Sequence, residues 1–140
     1  MAKVLNYGMV GGGPGSFIGA AHRKAIALGG RAKLVSGCFS SKIEKSRETA
    51  EELGIDPGRV YSDFKEMAAA EKGKIDFVVV TTPNNTHYAC CKAFLETGIN
   101  IMCEKPLCFG IDEAEELVAL AKAKDVVFGV MYGYTGNAMA

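Results

Sequence analysis

No tryptophan occurs in the 140 residues, and there are only two histidines and four prolines. Two histidines, His22 and His87, are too few to build a histidine-rich metal centre. The five cysteines (Cys38, Cys90, Cys91, Cys103 and Cys108) include no C-x-x-C pair, and their number is odd. That fits neither a secreted disulfide framework nor a zinc knuckle; the expectation is free thiols in a cytoplasmic protein with no bound metal. An excess of one charge is missing too, with 16 Lys and Arg against 16 Asp and Glu and no basic block. A nucleic-acid or anionic-membrane partner would demand such a block, so neither is expected. No apolar run approaches the ~20 residues that span a bilayer. The opening stretch MAKVLNYGMV is too short for a signal peptide and reads as a strand.

What is present suffices for a packed core: 49% hydrophobic and 23% charged residues, as in an ordinary single domain. Apolar runs alternate with helical patterns along the whole chain. The runs at 3–10, 33–39, 59–61, 75–82, 99–104 and 126–132 read as six strands. Ile18, Ala21, Ala25 and Leu28 sit at helical spacing before Gly29 and Gly30. Ser41 with Glu44, and Asp112 with Glu115, have capping-box spacing; Asp63 is placed to cap a helix through 72, and a further helix spans 86–97 before Gly98. The run IDFVVVTT is apolar on both faces, as suits a parallel strand covered on both sides. Alternation of this kind predicts an α/β fold: a doubly wound, parallel, six-stranded sheet of the Rossmann type in one domain, residues 1–140.

Five glycines crowd into VGGGPGSFIG, between the first strand and the first helix. Glycine weakens regular elements and is useful where backbone turns tightly or approaches a ligand. At the first strand–helix turn of a doubly wound sheet, that ligand is a dinucleotide pyrophosphate held by free amides and the helix dipole. Gly11 and Gly13 fit the start of G-x-G-x-x-G, but the third position is Ser16, so Gly15 and Gly19 indicate a longer loop. After the second strand the chain reads CFSSKIEK, with no acidic residue directly following the strand. Ser40 and Ser41 are candidates for the ribose hydroxyls, and Lys42 or Lys45 for a 2′-phosphate, which tilts the cofactor toward NADP over NAD. TTPNNTH (81–87) and CEKPL (103–107) follow the next two strands. A lysine at a strand's carboxyl end faces the crevice, where its charge favours a developing alkoxide.

In these motifs the chain resembles the N-terminal domain of the Gfo/Idh/MocA oxidoreductases. The resemblance rests on GMVGGGPGSFIGAAHRKA, FSSKIEKSRETAEELGI, TTPNNTHYACCKAFLETGINIMCEKPL and YGYTGNAM, nearly the whole chain. It implies that Gly11, Gly13, Gly15, Ser16, Phe17 and Ile18 hold the pyrophosphate of NAD(P). Ser40, Ser41 and Lys45 would lie at the adenosine ribose, and Thr82, Pro83, Asn84 and His87 along the nicotinamide. Glu104 and Lys105 match the family's Glu-Lys-Pro, which makes Lys105 the catalytic candidate. Tyr132 and Gly133 depart from the polar pair that long-loop relatives carry there. The resemblance further implies a longer enzyme, oligomeric with copies of itself, whose second domain, absent here, binds a sugar- or polyol-like substrate. The 140 residues alone are then expected to bind cofactor without turnover. A non-catalytic dinucleotide sensor and an NAD-dependent glycosidase are the alternatives that the residues leave open.

Overall fold

Five of the six apolar runs pair side by side. They form β1 (Leu5–Gly11), β2 (Ala32–Cys38), β3 (Phe77–Thr81), β4 (Asn100–Glu104) and β5 (Phe128–Met131), in the order β2-β1-β3-β4-β5. Each neighbouring pair is parallel. The computed structural model describes residues 3–138. Between the strands run α1 (Phe17–Gly29), α2 (Ile43–Glu52), α3 (Phe64–Glu71), α4 (His87–Thr97) and α5 (Ile111–Lys124). The period of a strand divides β3 between two cores. Val78 and Val80 pack with Met67 of α3, Phe94 and Leu95 of α4 and Leu117 of α5. Val79 packs on the opposite face with Tyr7, Met9, Phe39, Ala50 of α2 and Ile26 of α1. Burial on both faces is what the unbroken apolar run demands, and both sides are covered by helix.

The sixth predicted strand, at 59–61, is not formed. Pro57–Arg59 is a 3₁₀ turn capped by the Asp56 carboxylate, which accepts from the Gly58 N–H at 2.8 Å. Val60 forms a single bridge to Gly37 of the sheet, closed by the Tyr61 N–H donating to the Gly37 carbonyl at 2.9 Å. The side chains on either side of it have another task. Glu71 is completely buried; the Arg59 guanidinium pairs with it and the Tyr61 hydroxyl donates to it at 2.8 Å. A buried carboxylate is costly unless it is paired, and that pairing holds this segment together with the one bridge to β2.

Two helix starts also differ from the capping patterns. The N-cap of α2 is Lys42, whose N–H donates to Ser40 Oγ at 3.1 Å, so Ser41 caps nothing. Ser46, inside the helix, instead accepts from Phe39 N–H at 2.9 Å and donates to the Tyr61 carbonyl at 2.8 Å. In α5 the N-cap is Gly110, and Glu113 reaches back to the Phe109 and Gly110 amides at 3.1 and 3.4 Å. Asp63 does cap α3, accepting from Lys65 N–H at 2.6 Å.

All five cysteines are unpaired, four of them buried. Burial, with Asp63 and Glu66 nearby, pushes the Cys38 thiol up to about 12. Burial raises Cys90 as well, and a hydrogen bond with Cys103, then burial, raises Cys91. Burial and the bond to Glu71 push Tyr61 up to about 12. The folded chain therefore keeps protons that the unfolded chain releases near pH 9 for thiols and pH 10 for the phenol. Their contribution to stability is complete below about pH 9 and is lost as pH rises toward 12. Urea midpoints under reducing conditions are expected to be level near neutrality and to fall above about pH 9. Each buried thiol adds up to ~1.4 kcal/mol per pH unit to that slope; a level profile to about pH 11 would contradict it.

Candidate functional site

The order of the sheet reverses between β1 and β3, because the chain leaves β1 toward β2 and returns to the other side of β1. The carboxyl ends of the strands at such a reversal enclose the ligand crevice of doubly wound folds. Here the crevice has a volume of about 550 Å³. One wall is the loop Gly11–Pro14 with Ser16; Phe39 and Ser40 after β2, with Lys45 and Glu48 of α2, make the second; Thr81, Thr82 and Pro83 after β3 make the third.

Glycine is required at the floor. Gly11 has φ +82°, and a Cβ there would stand 2.7 Å from the carbonyl carbon and oxygen of Thr81. The ends of β1 and β3 therefore touch backbone to backbone. A Cβ at Gly19 would stand 2.3 Å from the Gly12 Cα, so the loop lies directly on the first turn of α1. Ser16 ends the loop: its N–H donates to the Gly13 carbonyl at 3.0 Å, and its Oγ caps α1 by accepting from Gly19 N–H at 3.3 Å. The loop thus delivers its backbone to the N-terminal end of a 13-residue helix, whose dipole favours an anion.

Arg23 strengthens that field. Helical side chains lean toward the N-terminus, and its Nη1 reaches back to donate to the Gly12 carbonyl at 2.9 Å. No carboxylate pairs with this guanidinium among the described residues. One buried polar atom on the crevice wall is unspent: Thr82 Oγ1 has no hydrogen-bond partner. A close-approach glycine loop, a helix N-terminus, an unpaired guanidinium behind them and an orphaned hydroxyl together fit a dinucleotide.

The predicted residues divide into three groups. Gly11, Gly13, Ser16, Ser40, Lys45, Thr82 and Pro83 line the crevice together. Gly15 and Phe17 line a neighbouring cleft of about 320 Å³ under the loop, with Arg23 and Glu52. Ile18, Ser41, Asn84, His87, Glu104 and Lys105 border neither space. His87 is fully buried; its Nδ1 lies 2.6 Å from the Pro106 carbonyl and its Nε2 2.9 Å from the Thr82 carbonyl. The ring thereby ties the turn after β3 to the turn after β4. The Glu104 carboxylate is also committed inside the fold, to His22 at 2.8 Å and to the Lys105 N–H at 3.0 Å. Lys105 is exposed, and its ammonium has no partner among the described residues. Tyr132 and the turn Gly133–Gly136 follow β5 and are exposed.

Sequence reasoning did not single out Gly12, Phe39, Glu48 or Arg23. Gly12 carried a signal, since it stands among the other glycines and has φ +76°. Glu48 is one helical turn after Lys45, which places both on the crevice side of α2.

Comparisons with known proteins agree with this geometry. The family described as "Oxidoreductase family, NAD-binding Rossmann fold" matches residues 5–132. A Bacillus subtilis (strain 168) protein named uncharacterized oxidoreductase YfiI is 40% identical over 143 residues, covering 99% of this chain and 36% of its own length. The crystal structure of an inositol dehydrogenase homolog from Azotobacter vinelandii complexed with NAD+ is 42% identical. Its TM-score is 0.94, over 99% of this chain and 36% of that one. A structure of an inositol dehydrogenase homolog from the same organism with NADH and myo-inositol is also 42% identical, with a TM-score of 0.93 over 97% and 37%. The 140 residues therefore span little more than a third of the relatives they match.

Proposed function

The chain belongs to the Gfo/Idh/MocA family of oxidoreductases, and from that premise we propose how its crevice is used. The domain holds NAD(P) across the β1/β3 reversal as the cofactor-binding part of a longer cytoplasmic enzyme. That enzyme oxidises a hydroxyl-bearing carbon of a sugar or polyol. The observation that carries the reading is the backbone cradle at Gly11–Ser16, with Thr82, whose buried hydroxyl has no partner, lining the same space.

In this reading the amides of Gly12 and Gly13 and the N-terminus of α1 bind the pyrophosphate, with the Arg23 charge behind them. Ser40 meets the adenosine ribose, and Thr82 and Pro83 border the nicotinamide half. When bound, the nicotinamide accepts or supplies a hydride. Lys105, at the carboxyl end of β4, would donate to the substrate oxygen and favour its alkoxide form, with the hydroxyl proton passing to solvent water. The inositol dehydrogenase homolog complexed with NADH and myo-inositol supports the polyol class.

Lys45 on the crevice wall, with no acidic residue directly after β2, supports acceptance of a 2′-phosphate. Glu48 beside it acts in the opposite sense and moderates the preference. The Lys45→Met variant is expected to weaken NADPH binding several-fold while leaving NADH within about twofold, a difference typical of losing one exposed charge contact. Fluorescence titration of both nucleotides against wild type and variant checks this. Equal losses for the two would overturn the 2′-phosphate assignment and leave the binding site itself standing.

A further inference from the structure

The buried pair His22–Glu104 joins two parts of the molecule that are 82 residues apart in sequence, at 2.8 Å. His22 belongs to α1, the helix whose N-terminus carries the glycine loop; Glu104 is the last residue of β4 and directly precedes Lys105. The exposures of His22 and Glu104 are only 7% and 9%. A buried polar pair of this kind contributes little net stability compared with apolar side chains of equal volume. What it does provide is geometry. One carboxylate oxygen faces the His22 ring, and the other accepts from the Lys105 N–H at 3.0 Å. With both oxygens held, the carboxylate plane is fixed, and the backbone of Lys105 is fixed with it.

We propose that His22 and Glu104 are a positioning pair that ties the Lys105 turn to the pyrophosphate-binding helix. The proposal rests on the dinucleotide reading above and deepens it. Glu104 then acts not by touching the cofactor but by making the placement of Lys105 depend on α1. A bound anion draws on the N-terminal turn of α1, and the His22–Glu104 bond carries that restraint to the residue that meets the substrate. His87, bonded to Thr82 and Pro106, holds the other side of the same turn, so Lys105 stands between two histidine anchors. The His22 anchor leads to α1, and the His87 anchor to the end of β3.

Residue-resolved amide exchange on the chain, with and without saturating NADH, tests this. In wild type, NADH is expected to slow exchange at the Lys105 amide. In His22→Leu, exchange at Lys105 is expected to rise about tenfold or more, the scale of a lost hydrogen bond to a charged group. The NADH effect there disappears, while Val79 and Val80 in β3 keep wild-type rates. His22→Gln, whose side-chain amide can donate to the same oxygen, should recover most of the protection. Unchanged exchange at Lys105 in His22→Leu, or an equal rise across the whole sheet, would overturn the proposal. Should His22→Leu fail to fold, His22→Phe, which keeps a ring but has no polar atom for the carboxylate, decides: faster exchange confined to Lys105 supports the pair, and no change refutes it. If NADH does not bind the wild-type chain, the dinucleotide reading fails on that result alone. The difference at Lys105 without nucleotide still judges the pairing.

Discussion

Replacing Lys105 with methionine, in an enzyme that carries this domain, is expected to lower kcat by roughly 10²–10⁴-fold, the usual worth of a positioned proton-transfer group. NADH affinity should stay near its wild-type value. The separation follows from where the side chain stands. Lys105 is exposed and its ammonium has no partner among the described residues. Removing it leaves no buried charge unpaired and opens no cavity, so no folding cost masks the kinetic one. Its backbone is held independently, through the Glu104 carboxylate. Steady-state kinetics paired with an NADH titration checks the point. A kcat within about threefold of wild type would strip Lys105 of its role; loss of binding together with turnover would place it in the cofactor site instead.

The second large effect is expected at Gly11. Alanine there must adopt φ near +82° and place its Cβ 2.7 Å from the Thr81 carbonyl. The left-handed conformation costs about 1–2 kcal/mol for a residue with a Cβ, and overpacking against backbone typically adds about 1–3 kcal/mol. Because β1 and β3 form the crevice floor, any relief of that clash moves the cradle itself. Gly11→Ala should therefore lose several kcal/mol of stability together with NADH binding. Gly15→Ala is the matched comparison. Gly15 has a similar φ of +79°, but a Cβ there meets nothing within 4 Å. It is expected to lose about 1–2 kcal/mol, with the fold of the crevice intact. Urea denaturation of the two variants reads the difference; equal losses would mean that strain, and not the contact between strands, sets the requirement at Gly11.

These two sites mark how far the sequence alone could be read. The glycine loop was legible because its constraint is local: turn, cap and helix start lie within nine residues, and their chemistry is written in consecutive letters. The strands of the sheet were legible for a similar reason, since burial on both faces requires an unbroken apolar run such as FVVVT. The segment RVY misled because Val and Tyr have strand propensity wherever they occur, while the deciding interaction is with Glu71, ten residues from Tyr61 and twelve from Arg59. The caps of α2 and α5 were misplaced by one or two residues. Ser40 takes the Lys42 amide at the start of α2 and Glu113 takes the Phe109 and Gly110 amides at the start of α5, with spacings as plausible as those of Ser41 and Glu115. The place of Lys105 at a strand's carboxyl end was legible in CEKPL, but only resemblance to a family motif raised it above an ordinary loop lysine. The His22–Glu104 bond could not be read at all, because the contact exists only once the topology brings α1 against the end of β4.

The central claim is that the crevice between the ends of β1 and β3 is the dinucleotide site. Titrating the ¹⁵N-labelled chain with NADH and following backbone amide shifts tests it most directly. The account predicts saturable shifts centred on Gly11–Ser16, Ser40 and Thr82, with a smaller response at Lys105. Absence of saturable shifts would contradict it, as would shifts centred on the groove between α3 and α4 around Lys65, Tyr88 and Lys92.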